Sequence, residues 1–311
     1  MSFTLGDWSS AIVAAAPGLG QAKRALESEL LSMAVFDVIH RFALLPDDAV
    51  FIGGTALRLC HGSPRFSEDL DFHTPKFAPR TLDRGTLAVE TEKITGCSIS
   101  VSTPMGSGST LARVSAEVPG RDRSQRRPRM KIDLGEGIQV DVRREIITLR
   151  MAGGLVPGMG DVGDAFSFRT SSKEELFADK HMALVGRKRR IKHRDLFDIL
   201  WLRHRGVDFR PDIVAAKVAM DNRAGFAAIL RQRAKAGRDA VSSGSYRAEM
   251  EHFLPSDSSW LFPEPKRCEG MAAGFETLIL DHAKLVDKEL SRTVTGPALQ
   301  GGSSPSNRRS C

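Results

Sequence analysis

Two neighbouring stretches indicate the fold, FIGGTALR at residues 51–58 and RFSEDLDF at residues 65–72. Residues 48–52 read as a short strand that ends at Gly53-Gly54, after which Thr55 can cap a helix. Backbone N–H groups at such a glycine-rich helix start can bind phosphate oxygens. Alone, a Gly-Gly pair reads as an ordinary tight turn, so its interpretation depends on the next strand.

The next predicted strand, over residues 67–72, is acidic. Side chains alternate across a strand, so Ser67, Asp69 and Asp71 share one face. The two carboxylates lie roughly 6.5–7 Å apart, close enough to converge on Mg²⁺ or Mn²⁺. A lone DxD pair usually marks a solvated strand face. A strand, Gly-Gly turn and helix followed by this pair is rarer, and it favours metal-assisted phosphoryl transfer.

A third carboxylate would complete such a site, and two candidates remain open. Asp133 lies in the alternating strand predicted over residues 130–134, and Asp141 lies in the one predicted over residues 138–147. Either could bind a metal and accept the proton of an attacking hydroxyl. Two further strands are predicted at residues 98–102 and 111–118.

The pattern divides the chain into an α/β domain over residues 1–150, a helical domain over residues 151–298 and a disordered tail over residues 299–311. A glycine-rich connector spans residues 151–163. A scaffold helix is predicted at residues 29–45. Helices of the second domain are predicted at residues 173–187, 192–203, 211–235, 245–254 and 270–290.

Composition predicts a cytoplasmic protein with a polyanionic partner. The 45 Lys and Arg residues exceed the 38 Asp and Glu residues, and the net charge is +7. The four cysteines show no disulfide or zinc spacing. No apolar run approaches the ~20 residues that span a bilayer, and no signal peptide is predicted. We expect a monomer without a membrane partner.

Two basic clusters, at residues 121–131 and 187–194, are candidates for RNA phosphate contacts. The alternative interpretation is a solvated charged face, which is commoner for any single run. With one Tyr and three Trp, recognition would depend on phosphate contacts and shape more than on base stacking. The candidate RNA-binding residues are Arg127, Arg129, Arg187, Lys188, Arg189 and Arg190.

Three motifs in this order resemble the AbiEii/AbiGii nucleotidyltransferase toxins, including the mycobacterial MenT group, within the DNA polymerase β-like superfamily. The first two are the stretches at residues 51–58 and 65–72. The third is EELFADK at residues 174–180 followed by RDLFDILWL at residues 194–202. The resemblance covers residues 49–202, and the chain beyond carries no matching motif.

The resemblance implies a bilobed protein, in which a polymerase β-like α/β domain with a mixed sheet precedes a mostly helical one. It implies a nucleoside triphosphate (NTP) substrate with metal on Asp69 and Asp71, Lys180 on the triphosphate and Asp195 as an essential acid. Gly53, Gly54, Thr55 and Ser67 would complete the nucleotide site. Physically, Asp195 could orient that lysine or a basic neighbour.

The function implied is that of a toxin that transfers a nucleoside monophosphate (NMP) from an NTP to RNA. The expected acceptor is the 3′ end of tRNA, so that translation stops, and a neighbouring gene would encode the antitoxin. Alternatives are transfer to a protein or small-molecule hydroxyl, and a non-catalytic nucleic-acid-binding regulator. The intact acids and Gly53-Gly54 argue against the regulator.

Ser67 has two interpretations. From its position alone it is a small polar residue that lines the site. The resemblance implies a regulatory role, because some toxins of the family are silenced when an antitoxin kinase phosphorylates a serine at this position. A phosphate with a charge of about −2 beside Asp69 would take the place of the triphosphate.

Overall fold

The computed structural model describes residues 4–74, 82–104, 109–122, 126–147, 166–187, 191–256 and 265–295. The described strands are β1 (Val50–Ile52), β2 (Leu70–Thr74), β3 (Ser98–Ser102), β4 (Thr110–Glu117), β5 (Arg129–Glu136), β6 (Val142–Ile147) and β7 (Phe166–Ser171). The described α-helices are α1 (Leu5–Ala15), α2 (Lys23–Arg41), α3 (Gly53–Leu59), α4 (Arg84–Thr95), α5 (Lys173–Gly186), α6 (His193–His204), α7 (Pro211–Met220), α8 (Phe226–Val241), α9 (Gly244–Glu251) and α10 (Pro265–Thr295).

The strands form one mixed sheet in the order β3-β4-β5-β2-β1-β7-β6. At its centre, β2 is antiparallel to β1 and parallel to β5. The neighbouring β7 runs parallel to β1, and β6 runs antiparallel to β7. The predicted α/β class with a mixed sheet is therefore confirmed.

An aromatic cluster joins the sheet to α2. The ring of Phe36 on α2 lies 4.6 Å from Phe51 on β1, 5.7 Å from Phe72 on β2 and 5.2 Å from Phe166 on β7, between ring centroids. All of these aromatic side chains are buried. Such packing, about 10 Å deep between helix and sheet, fixes the central strands that carry the acidic residues.

The helices after β7 pack on one another. Helix α5 begins where the Ser172 hydroxyl accepts a hydrogen bond from Glu175 N, which satisfies one free N–H of the first turn. Helices α8 and α10 approach closely at Gly237, where an added Cβ would lie 2.2 Å from the Phe275 ring. Only glycine allows this contact between the two helices.

Several predicted boundaries were wrong. Helix α2 starts six residues before the predicted residue 29 and ends at Arg41, because Ala43 adopts a left-handed φ of 47°. The predicted helix over residues 211–235 is two helices, separated at Asn222 and Gly225, which also have positive φ. The strand predicted over residues 67–72 begins only at Leu70. Helices α1 and α4 and strand β7 were not predicted.

Helix α3 also begins earlier than expected. Ile52 is its N-cap and Gly53 its first residue, so Thr55 lies inside the helix and the prediction that Thr55 caps it was wrong. Strand β7 follows the predicted domain boundary at residue 150 yet pairs with β1, so the sheet takes residues from both sides of it. The predicted connector (residues 151–163) and tail (residues 299–311) lie outside the described residues.

In the described part of the chain, the helices are too short or too polar to cross a bilayer.

Candidate active site

A cleft of about 620 Å³ lies between the sheet and the helices that come after it in the chain. Its volume is in the range of small-molecule sites. One wall is formed by the ends of β1, β2 and β5 together with the start of α3. The other is formed by α5, the start of α6 and the end of α7.

The acidic residues meet because of the sheet register. On β2, Asp71 lies between Ile52 on β1 and Asp133 on β5. Gly53 directly follows Ile52, and a Cβ added to it would lie 2.4 Å from Asp71 Oδ2. Gly53 also has a φ of +80°, which side-chain-bearing residues rarely adopt. The glycine is thus required for both the turn and the position of Asp71.

Negative charge accumulates at Asp71. Loss of hydration raises its pKa to about 6, with further increases from Asp69 and Asp133, while Lys180 and Lys131 oppose the shift. One oxygen of Asp133, Oδ1, is buried and has no hydrogen-bond partner. A buried, unpartnered carboxylate oxygen beside a second carboxylate is costly unless a cation or proton binds there.

Asp69 is held by its neighbours. Its Oδ1 accepts a hydrogen bond from Lys131 N at 3.0 Å, and its Oδ2 lies 3.5 Å from Lys131 Nζ. The buried Thr55 hydroxyl donates to the carbonyl oxygen of Asp69. Thr55 therefore supports the loop before β2 and does not line the cleft.

Among the residues that the structure describes, no three His, Cys, Asp or Glu side chains are grouped closely enough to hold a metal ion. The donor chemistry of Asp69, Asp71 and Asp133 nevertheless fits a divalent cation. Carboxylate oxygens are the ligands that Mg²⁺ prefers, and Asp133 offers an oxygen with no other partner. Asp69 would have to turn from Lys131. The metal-ligand assignment stays a prediction.

Lys180 lies opposite these acids, on α5. Its Nζ is 2.7 Å from Asp198 Oδ2 and 3.1 Å from Asp195 Oδ1. Burial alone would lower the pKa of Lys180, but the two carboxylates outweigh it and raise the pKa. The lysine is therefore a fixed positive charge at neutral pH.

Arg65 is a site residue that sequence reasoning missed. Its Nε and Nη2 each donate to Asp198, both at 2.9 Å, in a fully buried bidentate pair. The same guanidinium lies against Gly54, where an added Cβ would be 2.4 Å from Nη2 and 3.0 Å from Ser67 Oγ. Arg65 precedes the acidic motif in sequence, but its partner lies 133 positions away. Local patterning cannot reveal such a pair.

Asp195 connects Lys180 to the basic end of the cleft. Its second oxygen accepts from Arg187, with Nε at 2.9 Å and Nη2 at 2.8 Å. Asp195 therefore contacts both the lysine and a basic neighbour. Lys192 lies nearby, and burial together with the charges of Arg187 and Arg194 lowers its pKa.

Most of the predicted site residues line this one cleft. They are Gly53, Gly54, Ser67, Asp69, Asp71, Asp133, Lys180, Arg187 and Asp195. Of the two candidate third carboxylates, the structure brings Asp133 to the site, whereas Asp141 lies outside the cleft and pairs with Arg143 at 3.3 Å.

The remaining predicted RNA-binding residues are dispersed. Arg127 is exposed and forms an ion pair with Glu117, and neither it nor the exposed Arg129 lines the cleft. On β5, however, Arg129 lies two residues before Lys131, which does line it. Lys188, Arg189 and Arg190 lie outside the described residues.

The end of the cleft away from Lys180 contains His73. Its Nδ1 is 2.7 Å from Gln139 Nε2, and burial lowers the pKa of His73 to about 4. The ring packs against Gly135 and Gly137, where added Cβ atoms would lie 3.1 Å and 2.7 Å from it. His73 was not predicted as a site residue.

A second buried lysine supports this end. Lys217 Nζ on α7 is 2.5 Å from Glu175 Oε1, 2.8 Å from Asp179 Oδ1 and 3.0 Å from Ile138 O. Glu175 in turn accepts hydrogen bonds from Val140 N and Asp141 N. The network joins α5, α7 and the loop after β5 into one wall.

A comparison with models of protein families identifies the family of the chain. A model of the nucleotidyl transferase AbiEii toxin family, of type IV toxin–antitoxin systems, matches residues 39–268. The match defines the class of protein as a nucleotidyltransferase. The chain belongs to the AbiEii toxin family.

Two solved structures from Helicobacter pylori align with most of the chain. JHP933 aligns with a TM-score of 0.47 and 20% identity over 87% of this chain and 97% of its own. A protein described as a candidate nucleotidyltransferase aligns with the same score and identity over 85% and 96%. A comparison with curated proteins found no match.

Proposed function

We propose that this toxin transfers an NMP from an NTP to RNA, with the 3′ end of tRNA as the acceptor. The observation that carries the proposal is the cleft itself, where Asp69, Asp71 and Asp133 face Lys180. Phosphoryl transfer requires acids that can hold metal on one wall and a fixed cation on the other. The family shows only the transferase class and the toxin–antitoxin context.

The three acids would hold Mg²⁺ or Mn²⁺, which when bound neutralises the triphosphate and the leaving pyrophosphate. Lys180 would bind a β- or γ-phosphate oxygen, and its carboxylate partners keep it charged and in place. Gly54 leaves room for a phosphate to approach the backbone at the start of α3. Asp133 has an unpartnered oxygen that could accept the proton of the attacking hydroxyl.

RNA as the acceptor is supported by the charge of one end of the cleft. Lys131, Arg187, Lys192 and Arg194 all line it. Phosphate contacts of this kind position a nucleic acid without reading its sequence. The acceptor end would then lie beside the triphosphate. We further propose that the protein acts as a cytoplasmic monomer.

We propose that the antitoxin silences the toxin by phosphorylating Ser67. The Ser67 side chain lines the cleft, close to Gly54 and two residues before Asp69. A phosphate there would occupy the triphosphate position and repel it. Ser67→Asp should lose transfer activity, whereas Ser67→Ala should keep most of it and escape silencing by the co-expressed antitoxin. Full silencing of Ser67→Ala would show that the antitoxin acts elsewhere.

The test uses the purified protein, Mg²⁺ and each of the four NTPs labelled at the α-phosphate, with total RNA as acceptor. The proposal expects one RNA size class, tRNA, to gain label from a preferred NTP, and no label without divalent metal. Label on a protein or a small molecule would replace the RNA acceptor. An absence of transfer to any acceptor with every NTP would contradict the proposed function.

A further inference from the structure

His73 continues the line of cleft-facing residues on β2. It lies two residues after Asp71, so its side chain emerges from the same face roughly 6.5–7 Å further along. Antiparallel β1 passes His73 before it reaches Asp71, so Gly54, close to Ser67, lies on the side of Asp71 away from His73. A triphosphate bound at Gly54 and Lys180 would therefore direct the rest of the nucleotide toward His73.

Hydrogen bonds orient the His73 ring. The Ser171 hydroxyl donates to Gln139 Oε1 at 2.5 Å, which leaves the Gln139 amide to donate to His73 Nδ1 at 2.7 Å. Since Nδ1 accepts, the proton of the neutral ring is on Nε2. Ser171 is fully buried and Gln139 is half-buried, so this relay runs from the protein interior to the cleft.

Two glycines make room for the ring. Gly135 is the register partner of His73 on β5, and Gly137 lies two residues later. Added Cβ atoms would lie 3.1 Å and 2.7 Å from the imidazole. Side chains at either position would displace the ring from the cleft floor.

The opposite wall at this end is mixed: Lys217 and Asp221 line it beside an apolar patch. Met182 on α5 and Met220 on α7 line it, together with Ile138, and the last two are 41% and 43% exposed. Exposed methionine and isoleucine side chains at a cleft mouth suit a flat, partly apolar ligand, and methionine adapts readily to its shape. The end thus combines one oriented donor with an apolar patch that has charged neighbours.

We propose that this end of the cleft binds the nucleoside of the NTP, with His73 Nε2–H donating a hydrogen bond to an acceptor atom of the ribose or base. The inference rests on the proposed function, because it assumes that the triphosphate binds between Gly54 and Lys180. It assigns to His73 a role in nucleotide recognition that the acidic residues cannot supply.

The experiment compares binding of two probes by calorimetry in the presence of Mg²⁺. One is the preferred NTP, or each of the four in turn, and the other is inorganic tripolyphosphate, which has the phosphates without the nucleoside. Variants are His73→Ala, which removes the donor, and His73→Gln, whose amide can replace Nε2–H. The control is His252→Ala, an exposed histidine outside the cleft.

His73→Ala should weaken NTP binding about tenfold, the effect of one lost hydrogen bond, and change tripolyphosphate binding less than about twofold. His73→Gln should recover most of the NTP affinity, and His252→Ala should match wild type. Deoxyribonucleotides and NTPs with the four different bases show whether His73 contacts the ribose or the base. The effect of His73→Ala should vanish with the analogue that lacks the contacted group.

Unchanged NTP binding in His73→Ala, or equal weakening of both probes, would overturn the inference while leaving the proposed function intact. Wild-type protein that binds tripolyphosphate as tightly as any NTP would overturn it as well. If the wild-type protein bound neither the NTP nor tripolyphosphate, the proposed function itself would be contradicted, so the two failures are distinguishable.

Discussion

Asp71, which lines the cleft, and Asp198, which is buried behind it, should affect stability in opposite directions when their charge is removed. Asp198 is fully buried between Arg65 and Lys180, with contacts of 2.7–2.9 Å. Asp198→Asn keeps the shape but leaves two buried cations without that carboxylate. Removing one partner of a buried ion pair costs about 3–5 kcal/mol, so the free energy of unfolding should fall by that amount.

Asp71→Asn should instead stabilise the metal-free protein, because Asp71 is repelled by Asp69 and Asp133. A rise in pKa from 3.8 to about 6 corresponds to at most about 3 kcal/mol, and solvent in the cleft reduces this to about 1–2 kcal/mol. Functional acids are often placed at such a cost to stability.

The pH dependence separates the two effects. The folded-state pKa of Asp71 is raised, so ionisation of Asp71 lowers the stability of the wild-type protein progressively as pH rises from about 4 to 6. The free energy of unfolding of Asp71→Asn, relative to wild type, should therefore increase over that range. The pKa of Asp198 is lowered: burial would raise it, but Arg65 and Lys180 outweigh burial. The stability lost in Asp198→Asn should therefore be complete at pH 7 and shrink only below about pH 4.

The assay is urea denaturation in EDTA at about pH 7.5 and about pH 5, followed by circular dichroism. A control is Asp212→Asn, whose exposed ion pair with Arg210 should contribute no more than about 1 kcal/mol. A loss below about 1 kcal/mol in Asp198→Asn, or destabilisation in Asp71→Asn at the higher pH, would refute the description of charge in this cleft.

The same contacts yield three other predictions. Gly53→Ala should lower transfer at least tenfold, because the added Cβ would displace Asp71. The control is Gly62→Ala, at a glycine with a similar φ of +75° and open space around it, which should only lower the melting temperature. Lys180→Ala should raise KM for the NTP. Asp195→Ala should lower kcat/KM at least tenfold, because Asp195 holds two basic partners, Lys180 and Arg187. Unchanged kcat and KM in Asp195→Ala would mean that the role of Asp195 is structural. RNA binding should weaken with salt: a plot of the logarithm of the association constant against the logarithm of the salt concentration should have a slope of about −3 if four phosphates are contacted. A flat plot would point to a different acceptor.

The sequence predicted the centre of the fold and of the site because short-range rules govern both. Alternation along β2 and β5 places Asp71 and Asp133 on one face, and their parallel pairing then makes them neighbours. Asp133 and Asp141 could not be separated beforehand, because both were predicted to lie in alternating strands; in the structure β6 begins only after Asp141. The strand order decides between them: β5 pairs with β2, whereas Asp141 precedes β6 at the far edge of the sheet.

The parts that could not be predicted depend on long-range contacts. Arg65 pairs with Asp198, and the His73 ring is oriented by Gln139 and through it by Ser171. None of these pairs is encoded by local spacing. Strand β7 was missed for a related reason, since its parallel partner β1 is more than a hundred residues earlier.

We propose that the cleft supports transfer of the α-phosphate of an NTP, with its nucleoside, to RNA. The most direct measurement incubates the protein with tRNA, Mg²⁺ and an NTP labelled at either the α- or the γ-phosphate. We expect that tRNA gains only the α-label, with release of pyrophosphate, and that Asp69→Asn and Asp71→Asn abolish the transfer while remaining folded. Transfer of the γ-label, or activity within about tenfold of wild type in either variant, would contradict it.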